Sequence, residues 1–181
     1  EDEDGTGDIN FLDAYLLMAE RFRLAGQYDE ALDVLEDAIQ NHGFYGNTEV
    51  RLAREKIFRE QQRYADALQE LYNILVLNPF LEPALIEQIE VALESNQPGL
   101  AVLYSQQYLL YYPGSVRGFY LLGQAREAEN KNDLAIYAYS RALLGPEDNP
   151  YYVLALQART RLYLEQGDDG LAQAALATAL E

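Results

Sequence analysis

The sequence predicts an all-α fold, an α-solenoid of antiparallel helix hairpins. Three observations predict it. Alanines at positions 31, 67, 101, 135 and 172 recur at intervals of 36, 34, 34 and 37, each just inside an apolar helical stretch. Pro79 and Pro113 lie 34 residues apart, each just after such a stretch. Within the period, apolar residues recur at three and four: Ala31, Leu32, Leu35, Ala38 and Ile39 share one face, and Asp29, Glu30, Asp33, Glu36 and Asp37 fill the other. A period near 34 holds two helices of about 12 to 14 residues and two short turns. A fixed repeat of that size sets the architecture before any local detail does.

In chain order, residues 1–11 read as an acidic flexible segment, and a single array of helix pairs follows over 12–181, at 12–43, 48–79, 82–113, 116–146 and 153–181. Gly26 marks a turn, and Gly43, Pro79 and Pro113 are helix stops. The first pair carries Tyr15, Met18, Ala19, Phe22, Ala31, Leu35 and Ala38. The second and third are clear in their second helices, through Ala67 and Leu71 and through Ala101 and Pro113. The fourth has Phe119, Leu122, Gly123, Ala135, Tyr139, Ala142 and Pro146; the fifth has Leu156, Tyr163, Ala172, Leu176 and Ala179. The alanine column marks where the two helices of a pair cross closely and a larger side chain would push them apart. No pair can bury its own apolar face, so stacking is required to make a core.

These residues resemble the tetratricopeptide repeat (TPR) family over nearly the whole chain, in phase across five units. The departures are Arg51, Arg54 and Gln88, which stand where the family has an aromatic residue or Leu and are expected to be partly solvated or to rotate their helices. The resemblance implies a right-handed superhelix whose concave groove is lined by the first helix of each pair. Threaded onto it, Leu16, Leu52, Ile86 and Tyr120 form one groove column, continued by Gln157. Glu20, Lys56, Glu90, Gln124 and Arg161 lie beside it, then Arg23, Arg59, Leu93, Glu127 and Leu164. An apolar stripe with mixed charge on its flanks suits an extended or helical peptide from a protein partner. Arg23, Lys56 and Arg59 make a basic end to that groove, unless they are spent in ordinary pairs such as Glu55 with Arg59. The family's carboxylate-clamp subclass is not matched, because Leu16 and Glu20 stand at its positions.

Composition narrows the rest. The formal charge is −17, which disfavours nucleic acid and anionic membranes, since both need a basic surface. No apolar run approaches the roughly 18 residues of a membrane span, so no membrane insertion is expected. The chain has no Cys, which removes disulfides, thiolate metal sites and Cys nucleophiles and leaves the compartment open. It starts without Met or a basic-then-apolar leader, which reads as a mature or excised segment. The single histidine, His42, has no Ser or Cys partner in a recognisable arrangement and reads as a solvated loop residue. The carboxylate pairs Asp33 with Asp37 and Glu90 with Glu94 read as solvated helix faces. No enzyme and no cofactor is expected. Of the 15 tyrosines, Tyr45, Tyr111, Tyr112, Tyr151 and Tyr152 fall at repeat junctions and read as packing.

Two alternatives complete the reading. Residues 2–13 place Asp2, Asp4, Thr6, Asn10 and Asp13 in the register of a calcium-binding loop with Gly7 at its sixth position; the competing reading is a linker running into a helix start. The chain stops inside its last predicted helix, which leaves Leu176 and Leu180 as a candidate face for self-association into a homodimer.

Overall fold

The computed structural model describes residues 7–177. The fold class is all-α: among the described residues there are ten α-helices, no strands and one short 3-10 turn at Phe44–Gly46. The helices pair in sequence order: α1 (Gly7–Leu24) with α2 (Tyr28–Asn41), α3 (Thr48–Glu60) with α4 (Tyr64–Leu77), α5 (Glu82–Glu94) with α6 (Pro98–Tyr111), α7 (Val116–Ala128) with α8 (Asn132–Ala142), and α9 (Pro150–Glu165) with α10 (Asp169–Ala177). α1 begins at Gly7, so residues 7–11, expected in the acidic segment, form its first turns.

The five hairpins are closed by one repeated device. Gly26, Gln62, Asn96, Asn130 and Gly167 all hold positive φ, between 54° and 80°. In each case the next residue's N–H donates to the carbonyl five residues back: Gln27 to Phe22, Arg63 to Phe58, Gln97 to Ala92, Lys131 to Arg126 and Asp168 to Tyr163, at 2.8–2.9 Å. This left-handed helix stop satisfies carbonyls that the helix end would otherwise leave open. The next helix then starts, and its first inward residue is the column alanine, with Ala31, Ala67, Ala101 and Ala135 fully buried. The opposite ends are capped by side chains. Asn47, Ser115 and Asn149 accept hydrogen bonds from the N–H groups of Val50, Gly118 and Tyr151 at 3.0–3.1 Å.

The chain divides into two compact units, residues 1–84 and 85–181. The core of the first joins Ala19 of α1 with Ala31, Leu35 and Ile39 of α2 and Val50 and Ile57 of α3. Here the structure corrects one expectation. Arg51 is not solvated; it is 5% exposed, and its Nη1 donates to Glu70 of α4 at 2.7 Å. Arg54 Nε lies 2.9 Å from the other Glu70 oxygen, and Arg54 also bonds Glu36 of α2. Two arginines stand where apolar residues belong because a buried acid on the partner helix neutralises them, which is what makes an interior charge tolerable.

In the second unit, α5 contributes from Leu85 onward. Leu85, Ile86, Gln88, Ile89, Val91 and Ala92 are all buried. The acids Glu87, Glu90 and Glu94 keep to one half-buried to exposed face of α5, and the other faces lie inside; Gln88 is buried rather than solvated. Ala92 packs with Ala101, Val102 and Ala125. A further cluster joins Val116, Ala135, Tyr139, Ala142, Ala155 and Leu162 across α7, α8 and α9. One tight contact in it is between Gly123 and the Tyr139 ring. A Cβ on Gly123 would lie 2.3 Å from Tyr139 Cε1, so glycine is what lets the buried ring reach α7.

Candidate functional site

In the first unit the expected groove residues fall on two neighbouring helices, Leu16, Glu20 and Arg23 on α1 and Leu52, Lys56 and Arg59 on α3. Their charges are tied to one another. Arg23 donates from Nε and Nη2 to both Glu20 oxygens at 2.6 Å and from Nη1 to Glu60 of α3. Lys56 Nζ lies 3.7 Å from Glu20 Oε1. The Arg23 hydrogen bond holds the Glu20 carboxyl below its ordinary range. Bonded first of all to Glu20, and against the cost of burial, Arg23 is held more firmly charged than usual. Of the basic end expected at Arg23, Lys56 and Arg59, Arg23 and Lys56 are therefore tied to acids through pairs that bridge α1 and α3. Leu16 is half-buried against the Ala19–Leu35 cluster, and Leu52 is also half-buried.

The same unit has a second, apolar-lined cleft of about 380 Å³ between α1 and α2, walled by Ala14, Tyr15, Met18, Asp33, Val34 and Asp37. The Tyr15 hydroxyl donates to Asp37 Oδ2 at 2.6 Å. That bond lowers the carboxyl's pKa and raises the phenol's. His42 is exposed just past the end of α2, as the solvated reading expects, and it also has neighbours. Its ring lies 5.1 Å from that of Tyr15, and its Nε2 is 3.8 Å from Asp37. The cluster ties the end of α2 to α1.

In the second unit Tyr120 and Gln124 of α7 and Arg161 of α9 come together around a cleft of about 300 Å³, completed by Glu127, Ala128, Tyr139 and Ala158. Gln124 donates to the Tyr120 hydroxyl at 3.0 Å. Glu127 accepts from Arg161 at 2.7 Å and from the Tyr139 hydroxyl at 3.1 Å. Burial, then the Glu127 charge, pushes the Tyr120 and Tyr139 phenols up. Hydrogen bonds to Glu127 and Glu165 keep Arg161 charged. The site thus presents aromatic surface, an amide and a neutralised acid–base pair.

The α5 residues do not line this cleft. Glu90 pairs with Arg117 of α7. Leu93 is half-buried against the Ala92–Ala125 cluster. Ile86, expected to face the groove, is 2% exposed and belongs to the core. Sequence reasoning gave Tyr139 only as a repeat-pattern residue of the fourth pair and left Ala158 out. The link between Glu127 and Arg161 has a legible signal: opposite charges one repeat period, 34 residues, apart.

The remaining candidates lie elsewhere. Asp2, Asp4 and Thr6 are outside the described residues, as are Leu180 and the side chains of Asn10 and Leu176. Asp13 is an exposed residue of α1. Because that helix already runs from Gly7, the second half of the calcium register is helix, not loop. Among the described residues no group of three His, Cys, Asp or Glu could hold a metal ion, and no helix is long and apolar enough to cross a membrane.

No family model matches the chain. It is 30% identical over 135 residues to tetratricopeptide repeat protein 21B of Mus musculus, an alignment covering 73% of this chain and 10% of that protein. The chain therefore spans about a tenth of that relative. Among solved structures it is similar to MamA of Desulfovibrio magneticus RS-1, with a TM-score of 0.72 at 20% identity, covering 93% of this chain and 92% of that one. It is also similar to a thermophilic TPR protein of Thermus thermophilus, with a TM-score of 0.61 at 19% identity, covering 93% and 89%. The alanine period, the five hairpins with their shared turn, and the likeness to these repeat proteins place the chain in the tetratricopeptide repeat family.

Proposed function

We propose that the chain is a non-catalytic protein-interaction scaffold whose inner helix faces hold a segment of a protein partner. The observation that carries this reading is the cleft of the second unit. Tyr120, Gln124 and Arg161, picked out by repeat position, line one concavity with a hydroxyl, an amide and a guanidinium on an aromatic floor. Aromatic surface with a few convergent polar groups is what a peptide-holding cleft requires. In the first unit the α1 and α3 faces play the same part, with Glu20, Arg23, Lys56 and Glu60 paired among themselves as Arg161 is with Glu127 and Glu165 in the second. The surplus of acid argues for a protein segment rather than nucleic acid.

The test uses displayed peptides. The folded chain is panned against a library of random segments, and the enriched peptides are measured by calorimetry. Gln124→Ala and Arg161→Ala remove cleft polar groups while leaving the ring packing in place. Each is expected to weaken binding about tenfold, the loss of one good contact, with an unchanged melting temperature. Enriched peptides that bind both variants at full strength would sink the reading.

A further inference from the structure

The polar groups of the second unit's cleft can be counted one by one. Both Glu127 oxygens are engaged, one with Arg161 at 2.7 Å and the other with the Tyr139 hydroxyl at 3.1 Å. Arg161 gives its other amino group to Glu165 at 3.0 Å. Tyr120 and Gln124 are placed differently. They are half-buried walls of the cleft, and Gln124 donates one N–H to the Tyr120 oxygen at 3.0 Å. A phenol keeps its proton at neutral pH, so Tyr120 retains an O–H to give. Gln124 retains its carbonyl and its second N–H. Turning the amide over exchanges the two roles and still leaves a donor and an acceptor side by side. The Tyr120 and Tyr139 rings, with centroids 5.9 Å apart, supply apolar surface beside them. A cleft of about 300 Å³ is at the small end for a ligand site, with room for one side chain and its peptide group.

We propose, resting on the reading of this cleft as the partner's seat, that it anchors an uncharged amide side chain, Gln or Asn, of the partner segment. An amide carries a donor and an acceptor in one plane. It can give to the Gln124 carbonyl while it takes the Tyr120 O–H. Neither charged alternative matches both. A carboxylate only accepts, and it would be a third acid around an Arg161 that already faces Glu127 and Glu165, in a chain of net charge −17. An ammonium or guanidinium only donates, and it would reach Glu127 only beside Arg161, like charge against like. An apolar side chain would cut the Tyr120 and Gln124 groups off from water with no partner, a cost that an amide avoids. The apolar stem of Gln or Asn lies against the rings.

Exchanges on both sides of the contact test this. Peptides enriched on the folded chain and weakened by Gln124→Ala are resynthesised with each Gln replaced by Glu, each Asn by Asp, and either by Lys. Calorimetry reads the affinities. One position is expected at which the acid and the Lys each weaken binding about tenfold or more. Gln124→Glu makes that wall an acceptor only. It is expected to bind the parent peptide less well, and the Lys-bearing peptide better, than the wild type does. The peptide exchanges use the wild-type chain, so they decide the matter even where Gln124→Glu fails to fold. Cleft-dependent peptides with no Gln or Asn overturn the proposal while leaving the cleft as the binding site. So do cleft-dependent peptides that accept an acid or Lys at every such position. Peptides indifferent to both Gln124→Ala and Arg161→Ala remove the cleft itself, and the anchor with it.

Discussion

At the scale of single residues, the fold depends on a few tight substitutions of the repeat. Gly123 has no room for a methyl group: its Cβ would stand 2.3 Å from the Tyr139 ring, and that ring is fully buried. Gly123→Ala is expected to cost about 2 kcal/mol, as overpacking does, read as a lower melting temperature. Tyr139→Leu on that background should recover part of the loss by freeing the space. The buried charges make a second case. Glu70 neutralises Arg51 and is itself 8% exposed at its side chain. Glu70→Ala leaves Arg51 buried without that acid and is expected to cost about 3 kcal/mol in urea unfolding, whereas the double change Arg51→Met with Glu70→Leu should recover most of that loss, Arg54 keeping Glu36. A double variant as unstable as the single one would contradict this account. Reading Arg51 as solvated was the natural sequence inference, because its acid lies 19 residues away on another helix. A pairing across a hairpin has no local signature.

At the scale of elements, the turns carry the period. Five hairpins share one left-handed stop, yet only Gly26 and Gly167 have the residue that adopts it without strain; Gln62, Asn96 and Asn130 do not. A non-glycine residue there costs about 1–2 kcal/mol, least for Asn. Gln62→Gly is therefore expected to raise stability by about 0.5–1 kcal/mol after the looser unfolded chain is counted, and Asn130→Gly by less; differential scanning calorimetry ranks them. The alanine column was legible because a close crossing admits one residue type. The turns were only partly legible, because the backbone asks for a conformation that three different residues supply. Ile86 was misplaced for a related reason. Repeat register aims it at the groove, but the side of α5 that reaches solvent is the one with Glu87, Glu90 and Glu94, and Ile86 lies inside.

At the scale of the whole molecule, charge sets both stability and function. The Glu20, Glu36 and Glu129 carboxyls are held low first of all by bonds to Arg23, Arg54 and Lys131, respectively, and Asp37 by the Tyr15 hydroxyl. A carboxyl whose pKa is depressed in the folded state stabilises the fold above its unfolded value, about 4, and that contribution disappears as pH falls through the folded values. The melting temperature is expected to hold from pH 7 to about 5 and to decline below about 4. A rise on acidification would mean that self-repulsion among the acidic excess outweighs these pairs. The clefts were legible where repeat position alone decides, as for Tyr120, Gln124 and Arg161. They were illegible where a core ring turns its hydroxyl outward, as Tyr139 does toward Glu127. The central claim is that the inner helix faces receive the partner. Backbone hydrogen exchange of the full chain, with and without a peptide recovered by panning, tests it most directly. The account predicts new protection along α7 and α9 around Tyr120, Gln124 and Arg161, with α6 and α8 unchanged. Protection confined to the outer helices would contradict it.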